Sequence, residues 1–211
     1  NELAREYNVS RETIRKALLL LLENGYIHKI QGKGSIVLDV HRYRLPVTGL
    51  LSFKERRQFQ DVEATTKVIV NEEVDAPDFL VRLGLVKRGE KLIYLVRQRI
   101  VDGEAVILDK DYIRKSAIGE LPTDRVEESL YEYLENDLGI KISYGNKDFK
   151  IEPISEEDST YIDLNGHKHI AVLRSDVYTE GTDFLHYTES RHRVDKFHFS
   201  EFARRKSNRI N

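Results

Sequence analysis

The sequence predicts an α+β fold: an N-terminal winged helix-turn-helix followed by an antiparallel-sheet domain. Three observations carry that prediction. Residues 1–38 read as helix, turn, basic-faced helix and glycine-tipped hairpin. A pattern of helix, strand, glycine turn and strand then occurs twice further along. Charge divides at the same place: residues 1–57 hold 11 Lys+Arg and 6 Asp+Glu, and the remainder 23 and 30. A basic head on an acidic body is the electrostatic footprint of a small DNA-reading domain joined to something else.

The head is justified element by element. Residues 1–8 form a short helix with Leu3, Ala4 and Tyr7 on one side. Ser10 is a helix N-cap, and Val9 and Ile14 occupy the two positions of a hydrophobic staple. Ile14, Ala17, Leu18, Leu21 and Leu22 repeat at helical spacing, and Gly25 supplies the stop. The opposite face carries Arg11, Glu12, Thr13, Arg15 and Lys16. Arg can fork onto guanine, Thr can reach a base edge or phosphate, and Lys can neutralise phosphate. Residues 26–30 and 36–38 are strands, and Gly32-Lys33-Gly34-Ser35 is the basic tip of a wing between them. An ordinary amphipathic helix followed by a hairpin is the alternative. The expected DNA contacts are Ser10, Arg11, Thr13, Arg15, Lys16, Gly32, Lys33 and Gly34.

Residues 39–48 are expected to be a linker, because Asp39–Pro46 is polar, basic and ends in proline. Residues 49–211 are the second domain, opened by Gly49-Leu50-Leu51-Ser52-Phe53. The charged stretch 55–63 is a loop or short helix. Residues 91–97 and 168–174 echo each other, each preceded by a short helix (77–83 and 156–164). Each is followed by a glycine turn and a second strand (105–112 and 184–193). Asp102-Gly103 suits a two-residue hairpin, and Glu180-Gly181-Thr182 a longer one. Apart from chance similarity of two hairpins, this implies a pseudo-symmetric antiparallel sheet with helices on one side. Between the halves, Ser129-Leu130-Tyr131-Glu132 is a capping box that starts a helix through Leu138, stopped by Gly139. Residues 140–144 and 148–151 are two further strands.

Arg97 and Arg99 are two apart on a strand, so they share a face with Leu95, Ile93 and Val101. Two guanidinium groups among apolar side chains are costly without an anion beside them. That anion is either a ligand or Asp109, Asp111 or Glu104 on the partner strand, and both readings stand. The capped helix start at Ser129, with free amides at Leu130 and Tyr131, favours a phosphate. Tyr187, Glu189, Arg191 and Arg193 share another strand face. Glu189 and Asp109 are candidates to accept hydrogen bonds from sugar hydroxyls, with an exposed, ion-paired strand as the alternative.

Composition narrows the class. The chain has 211 residues, 40% of them hydrophobic, which permits a substantial core. Cysteine is absent, which excludes disulfides and cysteine-based metal sites and fits a reducing cytoplasm. No apolar run is long enough for a membrane span. No metal triad, nucleotide loop or Ser-His-Asp arrangement in recognisable context is found. His186 and His192 are six apart on a strand, which is poor spacing for a metal. No cofactor and no catalysis are expected.

The stretch Ser10-Arg11-Glu12-Thr13-Ile14-Arg15-Lys16-Ala17-Leu18, with Asn24-Gly25-Tyr26-Ile27 and Gly32-Lys33-Gly34-Ser35, resembles the GntR family of bacterial regulators. That family's winged helix begins with another helix, so the sequence is expected to start inside the domain. The second domain resembles the effector-binding (UTRA, chorismate lyase-like) domain of the family's HutC branch. The matched residues are Leu51-Ser52-Phe53, Arg97 and Arg99, Asp109, Ser129-Leu130-Tyr131, and residues 189–197. The resemblance implies that Ser52, Phe53, Arg97, Arg99, Ser129 and Tyr131 hold a phosphate. Asp109, Glu189, Arg191 and His192 are left for the sugar. The chain departs from the family at Asp109, His186 and His192, where Glu, Glu and Tyr are common. Residues 107–112, 130–135 and 187–193 resemble members responding to trehalose 6-phosphate. The resemblance therefore implies a homodimeric, cytoplasmic repressor of a trehalose operon, bound to double-stranded operator DNA and released by trehalose 6-phosphate. Another phosphosugar, such as an amino-sugar 6-phosphate, is the alternative effector, and a chorismate lyase-like enzyme the alternative class.

Overall fold

The structure, a computed structural model, describes residues 2–23, 26–30, 32, 34–38, 50, 52–55 and 63–198. The backbone divides into two compact units, Leu50–His198 and Asn1–Gly49 with Phe199–Asn211. The expected linker, Gly25 and Lys33 lie outside the described residues.

In the first unit, α1 spans Glu2–Glu6, α2 Arg11–Glu23, β1 Ile27–Ile30 and β2 Gly34–Val37. Ser10 caps α2: its Oγ accepts the Thr13 N–H at 3.0 Å. Ile14, Leu18 and Leu22 are half-buried, whereas Ala17 and Leu21 are exposed. β1 and β2 pair antiparallel with Ile30 opposite Gly34. Gly34 takes a φ of 93° and Gly32 one of 80°, left-handed values that side chains resist and that let the wing turn tightly.

The second unit is one six-stranded antiparallel sheet. Its strands are β3 (Ala64–Asp75), β4 (Lys91–Val101), β5 (Glu104–Arg114), β6 (Ile142–Pro153), β7 (His169–Thr179) and β8 (Phe184–Arg193). Their order is β3-β4-β5-β8-β7-β6. Helices α3 (Asp78–Arg82), α4 (Lys115–Ile118), α5 (Thr123–Glu132) and α6 (Glu156–Tyr161) complete it. The echo in the sequence is therefore a repeat of strand, helix and hairpin, and β5 meets β8 at the seam between the halves. Asp102 and Gly103 both have positive φ, 52° and 81°, as a type I′ hairpin requires.

Consecutive strand residues face opposite ways, and this sorts the helices. Leu92 packs with Leu80 of α3, whereas Ile93 packs with Val126, Leu130 and Leu134 from α5 and its continuation. Tyr161 at the end of α6 and Ile162 just after it cover Val96, Leu108 and Val172. So α3 and α6 lie on one face and α5 on the other, rather than all on one side. Residues 140–144 and 148–151 are not two strands. Residues 142–144 and 148–151 belong to the single strand β6, with 140 and 141 ahead of it, because Gly145 is not a turn. A Cβ there would meet the Asp176 carbonyl at 2.7 Å, so glycine permits a close backbone approach beside the register shift at Ile142/Tyr144.

The capping box also needs correcting. The helix begins earlier, at Thr123, and breaks at Ser129, whose backbone is extended (φ −165°, ψ 118°). Ser129 does cap the second half: its Oγ accepts the Glu132 N–H at 3.3 Å. The reciprocal half is replaced, since the Glu132 carboxylate takes Lys54 Nζ at 2.7 Å. The chain continues as a π-turn over Tyr133–Asp137 and Gly139 ends it at φ 68°.

Candidate functional site

A cleft of about 690 Å³, counted to its open mouth, lies on the α5 face of the sheet. Strand pairing builds its floor. Arg97 opposes Asp109 across β4–β5, Asp111 opposes Thr188 and Asp109 opposes Ser190 across β5–β8. Thr188 opposes Ser175 across β7–β8, and Ser175 opposes Lys147 across β6–β7. The walls come from Ser52, Phe53 and Lys54 and from Ser129, Leu130 and Tyr131. The cleft thus crosses the seam between the two halves.

The ion-pair reading of the arginines holds. Arg97 donates to Asp111 at 2.7 Å, and Arg99 donates to Asp109 at 2.8 Å and to the Thr66 hydroxyl at 2.6 Å. Both guanidinium groups are buried yet face the cleft. Glu104, the third candidate partner, instead pairs with Arg193 at 2.9 Å. Phe53 lies over the Arg99 guanidinium, 4.6 Å from carbon to ring centroid. Burial and the neighbouring Arg97 lower the Arg99 pKa to about 10. Burial pushes the Asp109 carboxyl upward, but Arg99, Arg97 and the Ser190 hydroxyl outweigh it and hold it below the usual range.

Among the described residues, three buried side-chain nitrogens have no hydrogen-bond partner: Arg97 Nε, His186 Nδ1 and His186 Nε2. All three belong to residues lining this cleft. Buried polar groups are almost always paired, and an unpaired one costs about 1–3 kcal/mol. Such groups gathered at one opening fit a ligand that supplies the partners.

Of the residues singled out from sequence, Ser52, Phe53, Arg97, Arg99, Asp109, Ser129 and Tyr131 come together here. Glu189 and Arg191 do not. The two-residue period of β8 sends them to the α3/α6 face, with Thr188 and Ser190 on the cleft side. Arg191 there forks onto Asp158 at 2.6 and 2.7 Å, and Glu189 accepts from Arg174 at 2.8 Å. His192 shares the cleft face but stands behind Ser190, 2.8 Å from its Oγ. The sequence reading missed Lys54, Lys147, Ser175, His186, Thr188 and Ser190. Register across β6, β7 and β8 identifies them, and register was not legible from one chain.

The first unit presents the expected polar face. Arg11, Thr13, Arg15 and Lys16 are exposed on α2. Arg15 is tied to Glu12 at 2.6 and 2.8 Å, and Thr13 Oγ1 lies 2.8 Å from Ser10 Oγ. Among the described residues no cluster of three His, Asp or Glu side chains fits a metal. No described helix is long and apolar enough to cross a membrane.

A helix-turn-helix with a wing, joined to a sheet domain with a polar cleft, defines a ligand-responsive DNA-binding regulator. The profile of the UTRA domain matches residues 60–198, and that of the bacterial regulatory proteins of the gntR family matches residues 1–37. The chain belongs to the GntR family, in its HutC branch. It is 45% identical over 207 residues to the HTH-type transcriptional regulator TreR of Bacillus subtilis, covering 97% of this chain and 86% of that one. The effector-binding domain of the B. subtilis trehalose repressor TreR superposes with a TM-score of 0.62 at 39% identity, covering 67% of this chain and 99% of that domain. The B. subtilis regulator YydK gives 0.77 at 22% identity, over 96% and 87% of the chains, a likeness of fold. Family and relatives alike are transcriptional regulators, not enzymes.

Proposed function

We propose that this regulator is a cytoplasmic repressor of a trehalose-utilisation operon, released from operator DNA by trehalose 6-phosphate. The observation that carries the effector reading is the gathering of unpartnered buried nitrogens at one cleft. Arg97, Arg99, Ser52 and Ser129 hold the phosphate end, with Phe53 and Tyr131 as walls. Asp109 anchors Arg99, and the sugar lies over β8 and β7. Residues 1–38 read DNA through Ser10, Arg11, Thr13, Arg15, Lys16 and the Gly32-Lys33-Gly34 tip. Residues 39–48 link this head to the effector domain over residues 49–211. A homodimer sets two heads on a palindromic operator. Identity of 45% to TreR favours trehalose 6-phosphate over other phosphosugars such as amino-sugar 6-phosphates.

A thermal-shift panel tests this, using trehalose 6-phosphate, glucosamine 6-phosphate, glucose 6-phosphate, trehalose and inorganic phosphate. A ligand at about a hundred times its dissociation constant adds roughly 2.7 kcal/mol, a rise of several degrees. A rise with trehalose 6-phosphate alone supports the reading. A rise with a different sugar phosphate changes the effector, and no rise with any refutes the cleft's role.

A further inference from the structure

We propose that Arg125 and Asp137 are positioning residues of the effector cleft: their ion pair holds the break in α5 at Ser129, and the break sets Arg97 and the restarted helix for the anion. This rests on the effector reading above and concerns two residues outside the cleft lining.

Arg125 stands in the first turn of α5, and Asp137 ends the π-turn that continues it. Their side chains meet as a fork, Nε to Oδ2 at 2.6 Å and Nη2 to Oδ1 at 2.7 Å, across 12 residues. Twelve residues of unbroken α-helix span about 18 Å along the axis, more than these two side chains can bridge. The fork therefore exists only because the helix breaks at Ser129, whose backbone is extended. Neither proline nor glycine occurs from Thr123 to Leu138, so side-chain contacts and the π-turn hold the break. Arg125 also donates to Glu128 at 2.8 Å. One guanidinium thus grips an acid on each side of Ser129.

The break changes what Arg97 can reach. In an unbroken helix the Val126 carbonyl would take the Leu130 N–H. Here it accepts a long hydrogen bond from Arg97 Nη1 at 3.5 Å, while Asp111 takes Arg97 Nη2 at 2.7 Å. Arg97 Nε is left without a partner, in the same lining as Ser129, Leu130 and Tyr131. A straight α5 would withdraw the Val126 carbonyl from Arg97 and return the Leu130 amide to the helix. The Arg125–Asp137 pair therefore sets the guanidinium and the helix start in place before an anion binds, and a prepared site binds more tightly. Both side chains of the pair are 34% exposed, so it stabilises the fold little.

Calorimetric titration of wild type, Arg125→Ala, Asp137→Asn and the double variant with trehalose 6-phosphate and inorganic phosphate reads the effect. Each single variant is expected to weaken both ligands by the same factor, about fivefold or more, because the pair acts at the anion's end. The double variant is expected to bind no more weakly than either single one, because the two residues act as a unit. Asp137→Glu keeps the carboxylate and is expected to recover most of the loss. A ligand-free measurement accompanies these: the carbon-13 shift of Ser129 Cα, extended in wild type, is expected to move toward helical values in Arg125→Ala. Unchanged affinity in both single variants, or losses that add in the double one, overturns the proposal and leaves the effector reading standing. So does a Ser129 shift that stays extended in every variant. If Arg125→Ala does not fold, equal affinities in Asp137→Asn and Asp137→Glu overturn it alike. Wild type that binds neither ligand overturns the effector reading itself, before any variant is compared.

Discussion

Lys54 and Glu132 are joined by a 2.7 Å ion pair spanning 78 residues of sequence. The same ammonium reaches Glu128 at 3.0 Å, so the two acids it holds lie on either side of Ser129. Lys54 directly follows Ser52 and Phe53, at the entry to the effector unit. The entry segment is thereby clasped to the helix that carries Ser129, Leu130 and Tyr131 into the cleft lining. An anion bound at Ser129, as proposed, would compete with both acids for Lys54.

Removing the clasp separates its stabilising from its signalling role. The pair is partly exposed, 22% and 38%, and such pairs contribute about 0–1 kcal/mol. Lys54→Ala is expected to change the melting temperature by no more than about 3 °C. The trehalose 6-phosphate concentration that half-releases operator DNA is expected to rise several-fold, with DNA affinity in its absence unchanged. Fluorescence anisotropy with labelled operator measures both. An unchanged half-release concentration removes Lys54 from the signalling path.

Arg97 carries two duties that a double variant can part. Arg97→Ala is expected to abolish induction while DNA affinity survives. It also leaves Asp111, 2% exposed, as an uncompensated buried charge, which costs about 3–5 kcal/mol. Adding Asp111→Asn removes that charge and is expected to restore much of the stability, because paired groups are non-additive. Effector binding is expected to stay lost. Urea denaturation and calorimetry on both variants check this, and a double variant that recovers effector affinity contradicts the role given to Arg97.

The buried imidazole imposes a pH dependence on stability. His186 titrates at about 4 in the folded chain against a reference of 6.5. The unfolded chain therefore binds the extra proton first as pH falls. The stability linked to this group is fully present above about 6.5, declines between 6.5 and 4, and is gone below. A difference of this size corresponds to about 3 kcal/mol across the window. The carboxylates held low, Asp109 and Asp158, lose their contribution at lower pH. Urea denaturation from pH 7.5 to 4 is expected to show the decline in wild type and a flatter profile in His186→Gln. Equal slopes in the two proteins contradict the assignment.

Local chemistry made much of this legible in the sequence, and long-range register did not. The Ser10 cap, the Asp102-Gly103 turn and the Arg97/Arg99 pair are short-range signals, and each stands where it was expected. The echo was real but off by one: Arg97 aligned with Arg174, whereas the strand bounds, Lys91–Val101 and His169–Thr179, put Ser175 in that place. A one-residue slip on a strand exchanges the faces, so Arg174 lies with Glu152 and Glu189, away from the cleft. The same parity hid Thr188 and Ser190 behind the more conspicuous Glu189 and Arg191. Strand β3 went unread because its burial does not alternate cleanly.

Arg191 and Asp158 supply the test that separates the two faces of β8. Asp158 is fully buried, accepts both arms of the Arg191 guanidinium and also receives the Ser155 N–H at 2.7 Å to cap α6. Burial favours the protonated acid, but Arg191 and Ser155 outweigh it and keep the carboxylate charged. Arg191→Ala leaves that charge alone beneath the sheet, at a cost of about 3–5 kcal/mol. The cleft floor on the other side keeps Thr188 and Ser190, so effector affinity in the folded variant is expected within about twofold of wild type, because sites without shared partners are close to additive. Chemical denaturation and effector titration on the same preparation measure the two quantities. A folded Arg191→Ala that loses effector affinity tenfold or more places Arg191 in the effector's reach and refutes the division of β8 by parity.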